Sequence, residues 1–95
     1  MKVLVLNELY RDLSQSGDTV DIQAFGAVLS VLNGHPVSVA LRGLNAQLKA
    51  YQDKELAYAN GGATSSREHY LSYCHTVKRI AQCKHLVATI EYASK

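Results

Sequence analysis

Five histidines and cysteines, whose side chains can bind metals or act as nucleophiles and bases, lie between positions 69 and 85: His69, Cys74, His75, Cys83 and His85. A metal ion needs ligands that converge at ~2.0–2.3 Å, which on a helix requires residues three or four positions apart. None of the five has such a partner among the others, so a site would need a further ligand such as His35. We therefore predict no metal and no other cofactor, and we interpret the group as buried thiols and surface imidazoles.

The candidate catalytic groups are also isolated from one another. Cys74 and His75 are adjacent, so on a helix their side chains point ~100° apart and cannot form a nucleophile–base pair. Glu8 and Asp12 share a helix face, but such a carboxylate pair on an exposed helix is usually solvated surface. The glycine-rich segment 61–66 precedes a helix, where backbone amides can bind an anion, yet the lysine of the phosphate-loop pattern is missing. We predict no catalytic residues and expect that the protein is not an enzyme.

A first polar surface, called here the polar row, lies on the helix predicted over 36–59. Its members are Ser38, Arg42, Asn45, Lys49 and Gln52. These residue types contact phosphates and base edges in the major groove of DNA. The preceding helix ends in a short glycine-containing turn, so the pair would form a helix-turn-helix with 36–59 as the reading helix. The competing interpretation is the solvated face of an amphipathic helix.

A second polar surface, called here the basic arc, lies on the last predicted helix. Its members are Arg67, His75, Lys78, Arg79, Gln82 and His85, and apolar residues lie in or beside it: Leu71, Leu86 and Ile90. A basic face interrupted by apolar residues suits docking onto an acidic, partly hydrophobic protein surface. It would equally suit packing against another subunit. The alternative is ordinary surface charge, with the leucines covered by a neighbouring helix.

Four segments have the apolar spacing of amphipathic helices. The first ends before Gly17 and carries its apolar residues at helical spacing: Val3, Leu6, Leu9, Tyr10 and Leu13. The second begins at a cap, Asp18 or Thr19, and we expect it to bury Ile22, Phe25, Val28, Leu29 and Leu32.

The third segment, 36–59, follows Asn33-Gly34 and Pro36. Asn-Gly between apolar runs is also the strongest short hairpin signal. The apolar spacing of the segment extends over four turns, which favours a helix: Val37, Leu41, Leu44, Leu48 and Tyr51. Gly43 is a local weakness within it.

The fourth segment follows the glycines of 61–62, with Ser65 and Glu68 as a capping box. Its residues at helical spacing are Tyr70, Tyr73, Val77, Ile80, Val87 and Glu91. Residues 86–92 are rich in residues that favour β-strands, and residues 1–6 have the pattern of a short strand. For both stretches the sequence is compatible with either a helix or a strand. The fold class we predict is all-α, a compact bundle of about four helices with a short N-terminal strand as the alternative over 1–6.

Length and composition set the remaining expectations. The 95 residues fit one helical domain over 1–95. A formal net charge of +2 is too small to indicate nucleic-acid binding by bulk charge alone. No run approaches the ~18 apolar residues of a membrane span. Cys74 and Cys83 would lie ~13 Å apart on one helix, beyond disulfide reach, which fits a reducing cytoplasm.

These observations lead to two functional hypotheses. The first is a small non-enzymatic regulatory or inhibitory module that binds another protein, with an acidic surface, through the basic arc. Accessory inhibitors carried by phages and mobile elements are often of this kind, which is a base-rate argument and not one from residues. The alternative is a helix-turn-helix-like DNA-binding transcriptional regulator that uses the 36–59 helix on duplex DNA. A homodimer is compatible with both, since broad apolar faces in so short a chain leave surface to bury.

Overall fold

A computed structural model describes residues 2–61 and 67–95, and nearly all of them are helical. The helices in these two ranges are α1 (Val3–Ser14), α2 (Thr19–Leu32), α3 (Val37–Ala40), α4 (Arg42–Gly61) and α5 (Arg67–Ser94). The prediction of an all-α bundle is confirmed. The predicted capping box at Ser65 and most of the glycine-rich segment 61–66 lie outside the described residues.

The start of α1 is attached to the end of α5. Residues 3–6 are helical, so the alternative of a strand there is wrong. The backbone N–H of Lys2 donates to the carbonyl of Ala93 at 2.6 Å, and the Lys2 ammonium lies 3.2 Å from the centre of the Tyr92 ring. This hydrogen bond satisfies one of the carbonyls that the last turn of a helix leaves without a helical partner. The beginning of α1 and the last turn of α5 are therefore in contact.

Local sequence signals determine both ends of α2. Asp18 is the N-cap, and its carboxylate accepts a hydrogen bond from the N–H of Val20 at 2.9 Å, which confirms the predicted cap. At the other end Gly34 has φ +90°, its N–H donates to Val31, and the N–H of His35 donates to Ser30. This is a Schellman motif, in which glycine permits the left-handed turn. Asn33-Gly34 thus ends a helix and does not form a hairpin.

The buried face of α2 differs from the predicted one. The fully buried residues are Val20, Ala24, Ala27, Val28 and Val31. Of the predicted set, Val28 is buried, Phe25 and Leu32 are half-buried, and Ile22 and Leu29 are 56% and 40% exposed. The physical reason is that α2 contacts all four other helices, and alanines let those helices approach closely. The prediction of the buried face of α2 was therefore wrong, because it relied on the spacing of the large apolar side chains alone.

The third predicted helix is interrupted at Leu41, which separates α3 from α4. Backbone hydrogen bonds still cross the interruption, from Leu41 to Val37 at 2.9 Å and from Asn45 to Leu41 at 2.8 Å. The predicted inward spacing is confirmed, because Leu41 and Leu44 are each 1% exposed and the other members pack against the core. Gly43 lies just after the interruption, and the Oε1 atom of Gln23 occupies the space beside it, 2.6 Å from where a Cβ would be.

The longest helix, α5, packs along α4 as an antiparallel hairpin. Its buried residues are Thr76, Ile80, Cys83, Leu86, Ile90 and Ala93. The predicted line shares only Ile80 with this set. Thr76, Cys83 and Ala93 are small or polar and carry little signal in a count of large apolar residues. Residues 86–92 are helical, so the strand alternative is wrong there too. Leu86 and Ile90, expected in or beside the basic arc, are buried under neighbouring helices.

The hairpin extends beyond the core. As a result the molecule is elongated. The radius of gyration of the chain is 15.0 Å, whereas a compact domain of this length has about 12 Å. Among the described side chains, none of α4 after Leu44 and none of α5 before Thr76 is fully buried. The rings of Tyr58 and Tyr73 meet edge to face, 6.3 Å between centres, and link the two helices in this outer part.

Candidate functional site

The structure divides the basic arc into an inward and an outward part. The Arg79 guanidinium donates to the Asp18 carboxylate and, at 3.0 Å, to the Gln82 side-chain carbonyl. The amide of Gln82 donates to Asp21 at 2.7 Å, and the hydroxyl of Ser16 donates to the same carboxylate at 2.6 Å. We call these five residues the cap network, because they tie α5 to the loop and first turn that begin α2.

The cap network gives Arg79 and Gln82 structural roles. Asp18 both caps α2 and pairs with Arg79, so one carboxylate stabilises a helix end and a contact between helices. The side chains of Arg79 and Asp18 are 35% and 20% exposed, which keeps the ion pair partly shielded from solvent. Arg79 therefore contributes little free charge to the surface. Sequence reasoning missed this because the partners are 61 residues apart and no local pattern links them.

The other four members of the arc, Arg67, His75, Lys78 and His85, are exposed. Lys78 precedes Arg79 directly, and the ~100° step between neighbouring residues of a helix turns it away from the cap network. Leu71, Lys78 and His85 recur every seven residues, so they lie on one side of α5. Cys74, Ala81 and Ala88 alternate with them. We call this line the outer row: Leu71, Cys74, Lys78, Ala81, His85, Ala88 and Tyr92.

The charge on this side of α5 has one sign. Between His69 and Ile90 the sequence contains neither Asp nor Glu. Lys84 is also exposed, but it lies about 120° around the helix axis from Lys78 and so on another side of α5. Leu71 and Tyr92, toward the two ends of the row, are 50% and 58% exposed. The outer row therefore combines positive charge, exposed apolar side chains and small residues that allow another chain to approach closely.

The polar row predicted on the third helix is exposed throughout. Ser38 belongs to α3, and the remaining four members belong to α4. Its cations are Arg42 and Lys49, and Asp53 follows Lys49 by one turn. The row thus has the accessibility that a reading helix needs, with only two positive charges to contact phosphates.

Among the described side chains of α5, the histidines and cysteines do not converge. Cys83 is fully buried, and burial raises the pKa of its thiol, an effect that the nearby Arg79 charge partly opposes. Cys74 is half-buried, whereas His75 and His85 are exposed. In the part of the chain that the structure describes, no three His, Cys, Asp or Glu side chains are placed to hold a metal ion. Glu8 and Asp12 are both exposed on α1.

Two grooves were not predicted from the sequence. The larger one, about 520 Å³, lies between α2 and the α3–α4 segment, and its walls include Ile22, Gly26, Ser30, His35 and Val39. The second, about 290 Å³, lies between α4 and α5, and its walls are Gln52, Glu55, Leu56, Ala59, Ile80 and Lys84. Both depend on helix packing, so only a structure could reveal them.

No helix within the described ranges is both long enough and apolar enough to cross a membrane. Comparison with protein families, with curated proteins and with solved structures finds no match to this chain.

Proposed function

We propose that this chain is a small non-enzymatic protein that regulates or inhibits an acidic partner protein by binding it through the outer row of α5. The observation that carries the proposal is the exposed side of α5 over residues 70–89, a stretch without Asp or Glu, where Lys78 and His85 alternate with small and apolar residues. Positive charge steers an acidic partner toward the surface and selects against basic ones. Leu71 and Tyr92 offer apolar area that a partner can bury.

The cap network limits which variants can test the proposal. Replacing Arg79 would break the contact with Asp18, so a loss of binding could reflect a displaced helix. Lys78→Glu changes an exposed lysine of the outer row and leaves the network in place. Lys54→Glu is the matched control, because Lys54 is an exposed lysine of α4 and the charge change is the same.

The test is affinity capture from extract of the source cell, with quantitative mass spectrometry of the bound proteins. We expect an acidic protein that the wild-type chain and Lys54→Glu capture equally and that Lys78→Glu captures at least about tenfold less. Circular dichroism should be identical for the three proteins. Equal capture by all three would contradict the proposal.

A second candidate function is DNA binding, which the full exposure of the polar row favours. Under this hypothesis the chain binds a mixed-sequence duplex, and its affinity falls steeply between about 50 and 200 mM salt as counterions are displaced. Arg42→Ala with Lys49→Ala should then weaken binding, whereas Lys78→Ala should not. Fluorescence anisotropy measures this, and absence of binding at the lower salt would remove the hypothesis.

A cytoplasmic location is part of the proposal. Cys74 and Cys83 are both free thiols on α5. Their separation along the helix, about 13 Å, prevents a disulfide between them. Free thiols are the expected state of cysteines in a reducing compartment, which supports a cytoplasmic location. This argument is independent of the proposed binding to an acidic partner.

A further inference from the structure

One side of the α4–α5 hairpin carries a groove lined by both apolar and charged side chains, and no residue of α1 or α2 lines it. Ile80 forms its floor at 7% exposure, and Leu56 stands on its edge at 66% exposure. Val77, one turn before Ile80 on α5, is 40% exposed. We call this surface the hairpin groove. In the outer part of the hairpin, beyond this groove, none of the described side chains of the two helices is fully buried.

The hairpin groove is separate from the surface that contacts α2. Arg79 and Gln82 meet Asp18 and Asp21 on one side of α5. Lys84 lies five positions after Arg79, which places it about 140° further around the helix axis. It lines the groove together with Glu55 and Gln52 of α4. Covering the groove therefore requires a further chain and no rearrangement of the five helices already packed.

We propose that a second copy of this chain covers the hairpin groove, so that two α4–α5 hairpins form a four-helix bundle around a two-fold axis. The charges that line the groove favour a second copy of this chain as the occupant, rather than a different partner. Glu55 belongs to α4 and Lys84 to α5. A two-fold axis along the hairpin sets each α5 over the α4 of the other copy, so Lys84 meets the opposite Glu55 twice. A partner whose surface is entirely acidic or entirely basic would place a like charge opposite either Glu55 or Lys84.

The available area fits the same occupant. The 20 residues of α4 make a helix about 30 Å long, and two packed helices present a face about 20 Å wide. Each copy would thus contribute roughly 600 Å² of plane area, near the ~800 Å² per partner of a standard stable interface. The surface is distinct from the outer row, so the dimer and the acidic partner are independent proposals.

The test is the mass of the protein in solution, measured by sedimentation equilibrium over about 1–100 μM. We expect a dimer of twice 10.4 kDa at the higher concentrations, with a dissociation constant in the micromolar range. Leu56→Lys should raise this constant at least about a hundredfold, because the two-fold axis places the changed residue in the interface twice. Leu4→Lys is the matched control, since Leu4 is a 79% exposed leucine of α1.

A charge exchange tests the position of the second copy. Glu55→Lys and Lys84→Glu should each weaken the dimer about tenfold, and the double variant should restore it. A wild-type chain that stays monomeric at about 100 μM would overturn the proposal. A dimer that is unaffected by Leu56→Lys, or that Leu4→Lys weakens as much, would also overturn it.

Discussion

The two thiols of α5 have opposite environments, which gives a test at the scale of single residues. Cys83 is fully buried among the helices, whereas Cys74 is half-buried in the outer row. A thiolate is poorly stabilised in an apolar interior, so burial keeps Cys83 protonated and unreactive. We expect a thiol reagent to modify Cys74 in the native protein and Cys83 only after unfolding. Mass spectrometry of the labelled peptides measures this, and equal labelling of the native protein would contradict it.

The raised pKa of Cys83 also predicts how stability depends on pH. The folded thiol titrates above its ordinary value of 9.0, so above about pH 9 the unfolded chain releases a proton that the folded chain retains. This contribution to stability is therefore complete below pH 9 and decreases as the pH rises further. Urea unfolding at pH 7.5 and 10 should show a smaller pH-dependent loss for Cys83→Ala than for the wild type. Equal losses would show that the thiol does not titrate as proposed.

At the scale of elements, Arg79 joins α5 to the first turn of α2. Arg79→Ala removes the ion pair with Asp18 and the bond to Gln82, so we expect a loss of about 1–2 kcal/mol in the free energy of unfolding. Lys78→Ala, on the neighbouring exposed residue, should change it by less than about 0.5 kcal/mol. Urea denaturation measures both, and equal effects would contradict the structural role of Arg79.

The two functions of Asp18 can be separated by a pair of variants. Asp18→Asn keeps a side chain that caps helices about as well as aspartate but removes the charge that Arg79 pairs with. Asp18→Ala removes both. The alanine variant should therefore lose about 1 kcal/mol more than the asparagine variant, and equal losses would show that the cap contributes nothing measurable.

The sequence allowed the helices to be predicted better than their faces. Apolar spacing identified the long helices, and Asp18 and Gly34 located both ends of α2, because spacing and capping are local properties. The face of α2 was wrong because its core contacts depend on Ala24 and Ala27, which carry little signal in a count of large apolar residues. The cap network joins residues that are 61 positions apart in the sequence. No local sequence pattern could therefore predict it, because the contact between α2 and α5 depends on how the helices pack.

For the whole molecule, the α1–α2 pair covers one side of the α4–α5 hairpin and leaves two surfaces open. The outer row is positively charged and carries the proposed binding of an acidic protein. The hairpin groove carries groups of both signs and the proposed contact with a second copy. The basic arc predicted from the sequence shares Lys78 and His85 with the outer row, and it also included Arg79 and Gln82, which belong to the cap network. The groove depends on the relative placement of two helices and was not predicted.

The most direct test of binding through the outer row is the affinity for the captured partner at about 50 and 200 mM salt. The wild-type chain should bind several-fold more weakly at the higher salt, because mobile ions screen the charge of Lys78. Lys78→Glu should bind at least about tenfold more weakly at the lower salt and depend less on salt, while Lys54→Glu behaves like the wild type. An affinity that neither salt nor Lys78→Glu changes would contradict binding through this surface.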